Sequence, residues 1–221
     1  MFDAISHSFS TVAIGGFSTH DTSIAYFDSP LIECIAVFFM VVAGINFALH
    51  FLALQKRQLK HYLKDPEFQF YAFILGSVSL ITVVVLAADG TYSSLFEALR
   101  RGLFQVVSFA TTTGYTTADF NSWPLFLPYV LLYAAIIGAC AGSTGGGMKV
   151  IRILLIFKQG FREVQRLIHP RAIIPIKLGK KVMSDRIVES VWGFFAVYVM
   201  AFMVMLLALL ATGLDIITAF S

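Results

Sequence analysis

Charge is scarce in this sequence, and cysteine is scarcer. Charged residues make up 13% of the 221, against 58% hydrophobic residues. A water-soluble domain carries about 25% charged residues, so water is excluded as the main solvent of this chain. The two cysteines, Cys34 and Cys140, sit in apolar runs without a CxxC spacing. That excludes a disulfide framework and a zinc site and marks both as small core residues. His7, His20, His61 and His169 are scattered and form no metal constellation. No nucleophile–base pair or ligand set falls inside the apolar runs, which argues against a membrane-embedded enzyme. The first residues have neither a basic n-region nor an apolar h-region, so they do not read as a signal peptide.

What is present is long apolar runs. A helix needs about 20 mostly apolar residues to cross a bilayer. Residues 30–54, 68–88 and 187–211 meet that length, and residues 125–157 exceed it but are interrupted by a glycine-rich stretch, 138–147. Residues 1–12 and 94–110 are too short and too mixed to cross, and they read as re-entrant or interfacial segments. The charges set the topology. Of 16 Lys and Arg, four lie in 56–64 and ten in 149–186. Clustered basic residues beside apolar spans mark the cytoplasmic side, so neither cluster reads as a nucleic-acid site. The loops 17–29, 89–92 and 116–123 contain Asp21, Asp28, Asp89 and Asp119 and no Lys or Arg, so they face outside. Trp123 and Tyr129 fall where an interfacial aromatic belt is expected.

The sequence repeats internally. Residues 10–21 align without gaps to residues 108–119, an offset of 98, with Ser, Gly, an aromatic, a hydroxyl residue, Thr and Asp in register. Each unit reads as a short helix dipping in from outside, a glycine turn, a polar exit and a full span. Residues 1–54 hold the pore helix, turn and second span of one unit. Residues 67–168 hold a complete unit with a broken second span. Residues 187–221 hold the first span and the start of the short helix of a further unit. The expected fold is an all-α polytopic membrane protein of repeated span–pore-helix–filter–span units, potassium-channel-like and present as a partial copy, an internal piece of a larger protein.

The two turns are Ala13-Ile14-Gly15-Gly16 and Thr111-Thr112-Thr113-Gly114. Irregular backbone at membrane depth is tolerated only inside protein or along a wet cavity. Carbonyls aimed at such a cavity can replace the hydration shell of a monovalent cation, as in potassium filters. Glycine supplies the dihedrals that this needs, and Thr112 and Thr113 can add hydroxyl support. Neither turn carries the carboxylates that a calcium or magnesium site prefers.

Residues 13–21, 110–115 and 138–149 together resemble the transmembrane, pore-forming subunit of the Trk/Ktr/HKT potassium-transport superfamily, the Trk branch most closely. The resemblance covers the whole chain. It implies four such units around one pore and potassium as the transported ion, with no covalently bound cofactor. It maps the potassium-coordinating backbone onto Ile14, Gly15, Thr112 and Thr113, and the filter glycines onto Gly16 and Gly114. It further implies an inner-membrane protein in contact with lipid, a homodimer, and a cytosolic nucleotide-binding regulatory subunit docked on the basic face. The first and fourth filters, which bear on potassium against sodium preference, are absent from this chain.

Five glycines fall between positions 138 and 147. Such density breaks a helix. Counting down from Pro124 at the helical rise puts Gly138 roughly 21 Å below the outer edge, beneath the filter. Gly138, Gly142, Ser143, Thr144, Gly145, Gly146, Gly147 and Lys149 therefore form a candidate gating loop, and the resemblance implies the same role. A nucleotide P-loop would need Gly directly before Lys, followed by Ser or Thr; here Met148 intervenes and Val150 follows. Asn46 and His50 share a helix face as hydrogen-bonding or pore-lining groups. Glu97 and Arg101 are spaced for an i,i+4 ion pair. A cation-coupled secondary transporter with broken helices is the alternative architecture. It calls for inverted repeats and an ionisable group at the site, whereas this repeat is parallel.

Overall fold

In the computed structural model, residues 1–215 and 218–219 are described. The expected start of a further pore helix at 215–221 falls largely on residues 216, 217, 220 and 221, outside the described residues. Among the described residues the regular secondary structure is helical apart from one short hairpin, and the chain divides into two compact units, Met1–Ile151 and Arg152–Ser221.

The first unit opens with α1 (Phe2–Val12), a short amphipathic helix with Asp3 in its first turn and no basic residue in its last. A 3₁₀ turn at Ser23–Phe27 leads to α2 (Pro30–Ala43), which starts with proline at its first position, where the missing N–H costs nothing. α3 (Phe47–Lys56) and α4 (Lys60–Lys64) follow, then α5 (Pro66–Asp89), 24 residues capped by the Asp65 side chain on the Phe68 N–H and closed by Gly90 in the left-handed region. α6 (Leu95–Ala110) begins at a Ser94 cap and repeats the pattern of α1, acidic in the first turn and without a basic residue in the last. α7 (Phe126–Ile137) ends at Gly138.

α6 is the hub. It packs against α2, α5 and α7, while α1 packs against α2. Phe104, Val107, Ala110 and Tyr115 join Met40 and Tyr71 in one buried cluster. Leu86, Ala98, Val106, Trp123, Leu127 and Leu131 form a second. Gly102 lets α5 come close, since a methyl there would meet Leu86 and Val83 at 3.3 and 3.4 Å. The outward faces carry large apolar side chains, among them Leu31, Phe38, Phe73, Leu80 and Val84, which lipid covers at no cost.

Four expectations are corrected here. Residues 30–54 are not one straight span: α2 and α3 meet at a 93° bend. The Asn46 side chain caps α3 by accepting the Ala48 N–H at 2.9 Å, so a helix starts where the apolar run looked continuous. Cys34 is exposed on α2, not a core residue, whereas Cys140 is buried. Trp123 is buried and donates its indole N–H to the Tyr92 hydroxyl at 3.1 Å, so of the two aromatics expected at the interface only Tyr129 is exposed. Arg101 does not pair with Glu97; it pairs with Asp28 and Glu33, because the acidic groups brought to the start of α6 come from the other repeat.

The second unit contains most of α8 (Val150–Ile168), a strongly amphipathic helix, then β1 (Lys177–Leu178) paired antiparallel with β2 (Lys181–Val182), and α9 (Asp185–Ala211). Arg162 is buried and donates to Asp185 at 2.7 Å, and Arg152 stacks 4.0 Å over the Phe194 ring. α5 and α9 are each long and apolar enough to cross a membrane, and the bent α2–α3 pair passes the same test taken together.

Candidate ion site and its loop

Both glycine turns leave the C-terminus of a short helix, and their first three residues do so with the same hydrogen bonds. The Ala13 N–H bonds the Phe9 carbonyl at 2.9 Å, and the Thr111 N–H bonds the Val107 carbonyl at 2.9 Å. The Gly15 N–H returns to the Ser10 carbonyl at 2.8 Å, and the Thr113 N–H returns to the Ser108 carbonyl at 2.8 Å. The φ angles alternate in sign. Ala13 is at −75°, Ile14 at 54° and Gly16 at 67°, with Gly15 not positive; Thr111 is at −82°, Thr112 at 64° and Gly114 at 86°, with Thr113 not positive. Alternating handedness turns successive carbonyls to one side and successive N–H groups to the other, where a strand would alternate them. The N–H groups of residues 13–15 and 111–114 are tied back to the helices. Among the described residues, no hydrogen bond reaches the carbonyls of 13–16 or 111–114. The aligned carbonyls and the partial negative charge at each helix C-terminus suit a cation.

The two strands stand side by side. A side chain on Gly16 would run into the Thr113 carbonyl. The second strand is braced from behind. Ser108 donates to the Tyr115 carbonyl at 2.7 Å, the hydroxyls of Thr111 and Thr113 bond each other at 2.7 Å, and buried Tyr115 donates to the His7 carbonyl at 3.3 Å. Its counterpart Phe17 is exposed. The exits are joined as well, since the Ala25 N–H bonds the Thr116 carbonyl at 3.1 Å.

Near the exits of the turns, the start of α6 is tied to the start of α2 by charge. Buried Glu33 accepts from Arg100 Nε at 2.7 Å and from Arg101 at 3.3 Å. Asp28 accepts from both guanidiniums at 2.9 Å, and Arg101 also holds the Thr117 carbonyl at 2.7 Å. Charge-assisted bonds of this kind are the strong ones. The hydrogen bond from Arg100 holds the Asp28 carboxyl below its ordinary value of 3.8.

Residues 138–149 lie against the helix ends at the inner side of the two strands. Thr144 donates to the Val12 carbonyl at 3.1 Å, and the Gly146 N–H donates to Thr112 Oγ1 at 2.6 Å. Lys149 Nζ bonds the Gly145 carbonyl. A methyl on Gly145 would meet Ala139 Cβ at 2.7 Å and the Thr111 carbonyl at 2.9 Å; one on Gly147 would meet Gly138 Cα at 2.7 Å. Glycine is required here for close approach, and Gly138, Gly142 and Gly147 also have positive φ. Ser143 caps the turn by donating to the Cys140 carbonyl at 2.6 Å.

Two contributors escaped the sequence reading, and a third, Arg101, was given another partner. Gly44 and Glu67 contact the loop, and Arg101 holds the exit of the second strand. Gly44 and Asn46 within one apolar run were the available signal of a break. Glu67 looked like an ordinary first-turn acid behind Pro66.

The sequence profile of a family described as TrkH, cation transport protein, matches residues 1–221. The chain is 54% identical over 220 residues to the Trk system potassium uptake protein TrkH of Escherichia coli (strain K12), covering 100% of this chain and 46% of the relative. It is 37% identical over 221 residues to the Trk system potassium uptake protein TrkG of the same organism, covering 100% and 45%. The crystal structure of the potassium transporter TrkH from Vibrio parahaemolyticus superposes with a TM-score of 0.96 at 53% identity, over 100% of this chain and 47% of that one. The chain thus spans about half the length of the curated relatives it matches.

Proposed function

The chain belongs to the TrkH family of cation transport proteins, and from that premise we propose that it forms part of the pore of a multi-pass inner-membrane potassium uptake protein. Potassium passes the carbonyls of Ala13, Ile14, Gly15 and Gly16 and of Thr111, Thr112, Thr113 and Gly114, and the loop 138–149 closes the path beneath them. The observation that carries this reading is the matched alternation of φ sign in the two turns, with the N–H groups of residues 13–15 and 111–114 bonded back to the helices behind. The repeat units then run over 1–54, 67–168 and 187–221. The process is translocation without covalent chemistry. The protein works as a homodimer with a cytosolic nucleotide-binding regulatory subunit, which the basic segment 149–186 is suited to meet. Co-purification of that subunit, lost when Lys177, Lys180 and Lys181 are replaced together by Glu, tests the partnership.

The filter reading is tested by rubidium-86 uptake into potassium-starved cells expressing the full-length protein and its Gly114→Ser variant. Gly114 has φ 86° and open space around its Cα, so serine fits sterically but strains the strand. Reduced preference for potassium over sodium at normal expression is expected. Unchanged uptake and preference would reduce Gly114 to a turn residue and end the filter assignment.

A further inference from the structure

The loop beneath the strands is held on two sides by different kinds of contact. Toward the strands it has Thr144 on the Val12 carbonyl and Gly146 on Thr112 Oγ1. Away from them, three consecutive residues are bonded to the bend between α2 and α3 and to the start of α5. The Cys140 N–H donates to the Gly44 carbonyl at 3.0 Å, and the Ala141 N–H donates to Glu67 Oε1 at 2.6 Å. The Gly142 carbonyl accepts the Phe47 N–H at 3.0 Å. Glu67 is buried, and the Ile151 amide and the Asn46 side chain also face its carboxylate.

The bend itself is braced. His50 Nε2 bonds the Val42 carbonyl at 2.9 Å across the elbow, so this nitrogen carries the proton, and Nδ1 accepts the Tyr62 hydroxyl of α4 at 2.7 Å. Tyr71 of α5 donates to the Val41 carbonyl at 3.3 Å, and a methyl on Gly44 would collide with that hydroxyl. α2, α3, α4 and α5 are therefore pinned together where they meet the loop.

We propose that Glu67 and the elbow at residues 44–47 form the seat of the loop, positioning it under the strands so that a displacement of α3 and α4 moves it. The inference rests on reading 138–149 as the gate. Glu67 acts through the loop and does not touch the ion. Residues 140–142 stay seated while the contacts of Thr144 and Gly146 to the strands break, which leaves the cytoplasmic ends of α3 and α4 as the handle.

The test uses hydrogen exchange read by mass spectrometry on the full-length protein in nanodiscs. Loss of a hydrogen bond to a charged acceptor corresponds to about tenfold in local opening. Glu67→Ala is expected to speed exchange of the 139–143 segment by that factor, with segment 108–113 unchanged. Glu67→Gln keeps an acceptor oxygen and is expected to restore protection to within about threefold. A second variant is independent of the carboxylate. Phe47 is the first residue of α3, and Asn46 before it has φ −59° and ψ 121°, so proline fits there and removes the N–H bonded to Gly142 together with the ring, while alanine removes the ring alone. Phe47→Pro is expected to speed the same segment, and Phe47→Ala is not. Unchanged exchange in Phe47→Pro overturns the seat, even where Glu67→Ala misfolds. Rubidium-86 flux through the same proteins separates the two readings. Faster exchange with raised flux supports both, and faster exchange with unaltered flux keeps the seat while the gate reading fails.

Discussion

At single positions the site uses backbone conformations that most residues avoid. Gly16 and Gly114 occupy equivalent positive-φ positions, but a side chain at Gly16 collides with the Thr113 carbonyl while one at Gly114 meets nothing within 4 Å. A non-glycine residue in the left-handed region costs roughly 1–2 kcal/mol. Both Gly→Ala variants bear that strain, and Gly16→Ala adds the clash. Gly16→Ala should abolish rubidium uptake by the full-length protein, and Gly114→Ala should reduce it and erode ion preference; equal effects would contradict the packing described. Thr112 is set differently. Its backbone belongs to the strand, while its hydroxyl accepts the Gly146 N–H from the loop. Thr112→Val keeps the shape and removes the acceptor, leaving an unpaired N–H worth about 1–3 kcal/mol. That variant should raise flux in the absence of activating conditions, and Thr112→Ser should not.

At the scale of helices, the two repeats are joined through the start of α6 by Arg100 and Arg101, which share Asp28 and Glu33. The sequence shows the arginines and the acids but not their pairing, because helical spacing speaks only to neighbours on one helix, and these partners are 67 to 73 residues apart. Glu33 is 3% exposed. Removing its charge leaves the guanidiniums without their buried partner, a change that costs about 3–5 kcal/mol. Glu33→Gln should therefore lower the thermal midpoint of the detergent-solubilised full-length protein by several degrees. Asp28 contributes on the acid side. Its folded pKa lies below the ordinary 3.8, so its stabilising contribution is complete above that value and is lost as pH falls through the lowered folded value. Thermal midpoints measured from pH 6 down to pH 3 should fall more steeply for the unmodified protein than for Asp28→Asn.

For the molecule as a whole, the filter proposed above has two strands, which would supply carbonyls to one part of an ion's circumference. A dehydrated potassium ion needs a fuller shell of oxygens, and the relatives matched are about twice as long as this chain. Residues 1–221 expressed alone should therefore fail to restore growth of potassium-uptake-deficient cells on low potassium, where the full-length protein succeeds. Restoration by the piece would mean that copies of it complete the ring themselves.

Much of this was readable from residue order, because the signals are local. Apolar length gave the long helices α5 and α9, and the gap-free match of 10–21 to 108–119 located both turns and hence Ile14, Gly15, Thr112 and Thr113. The glycines at 138–147 marked the loop for the same reason, since backbone freedom is a property of the residue itself. The right-angle elbow at Gly44, the seat at Glu67 and the clamp at Arg100 and Arg101 were decided only in three dimensions. Each depends on a hydrogen bond between segments far apart in the chain, and a buried donor or acceptor is satisfied by whatever the fold brings beside it. The Gly44 carbonyl freed at the end of α2 accepts the Cys140 N–H, and nothing within residues 30–54 announces that partner.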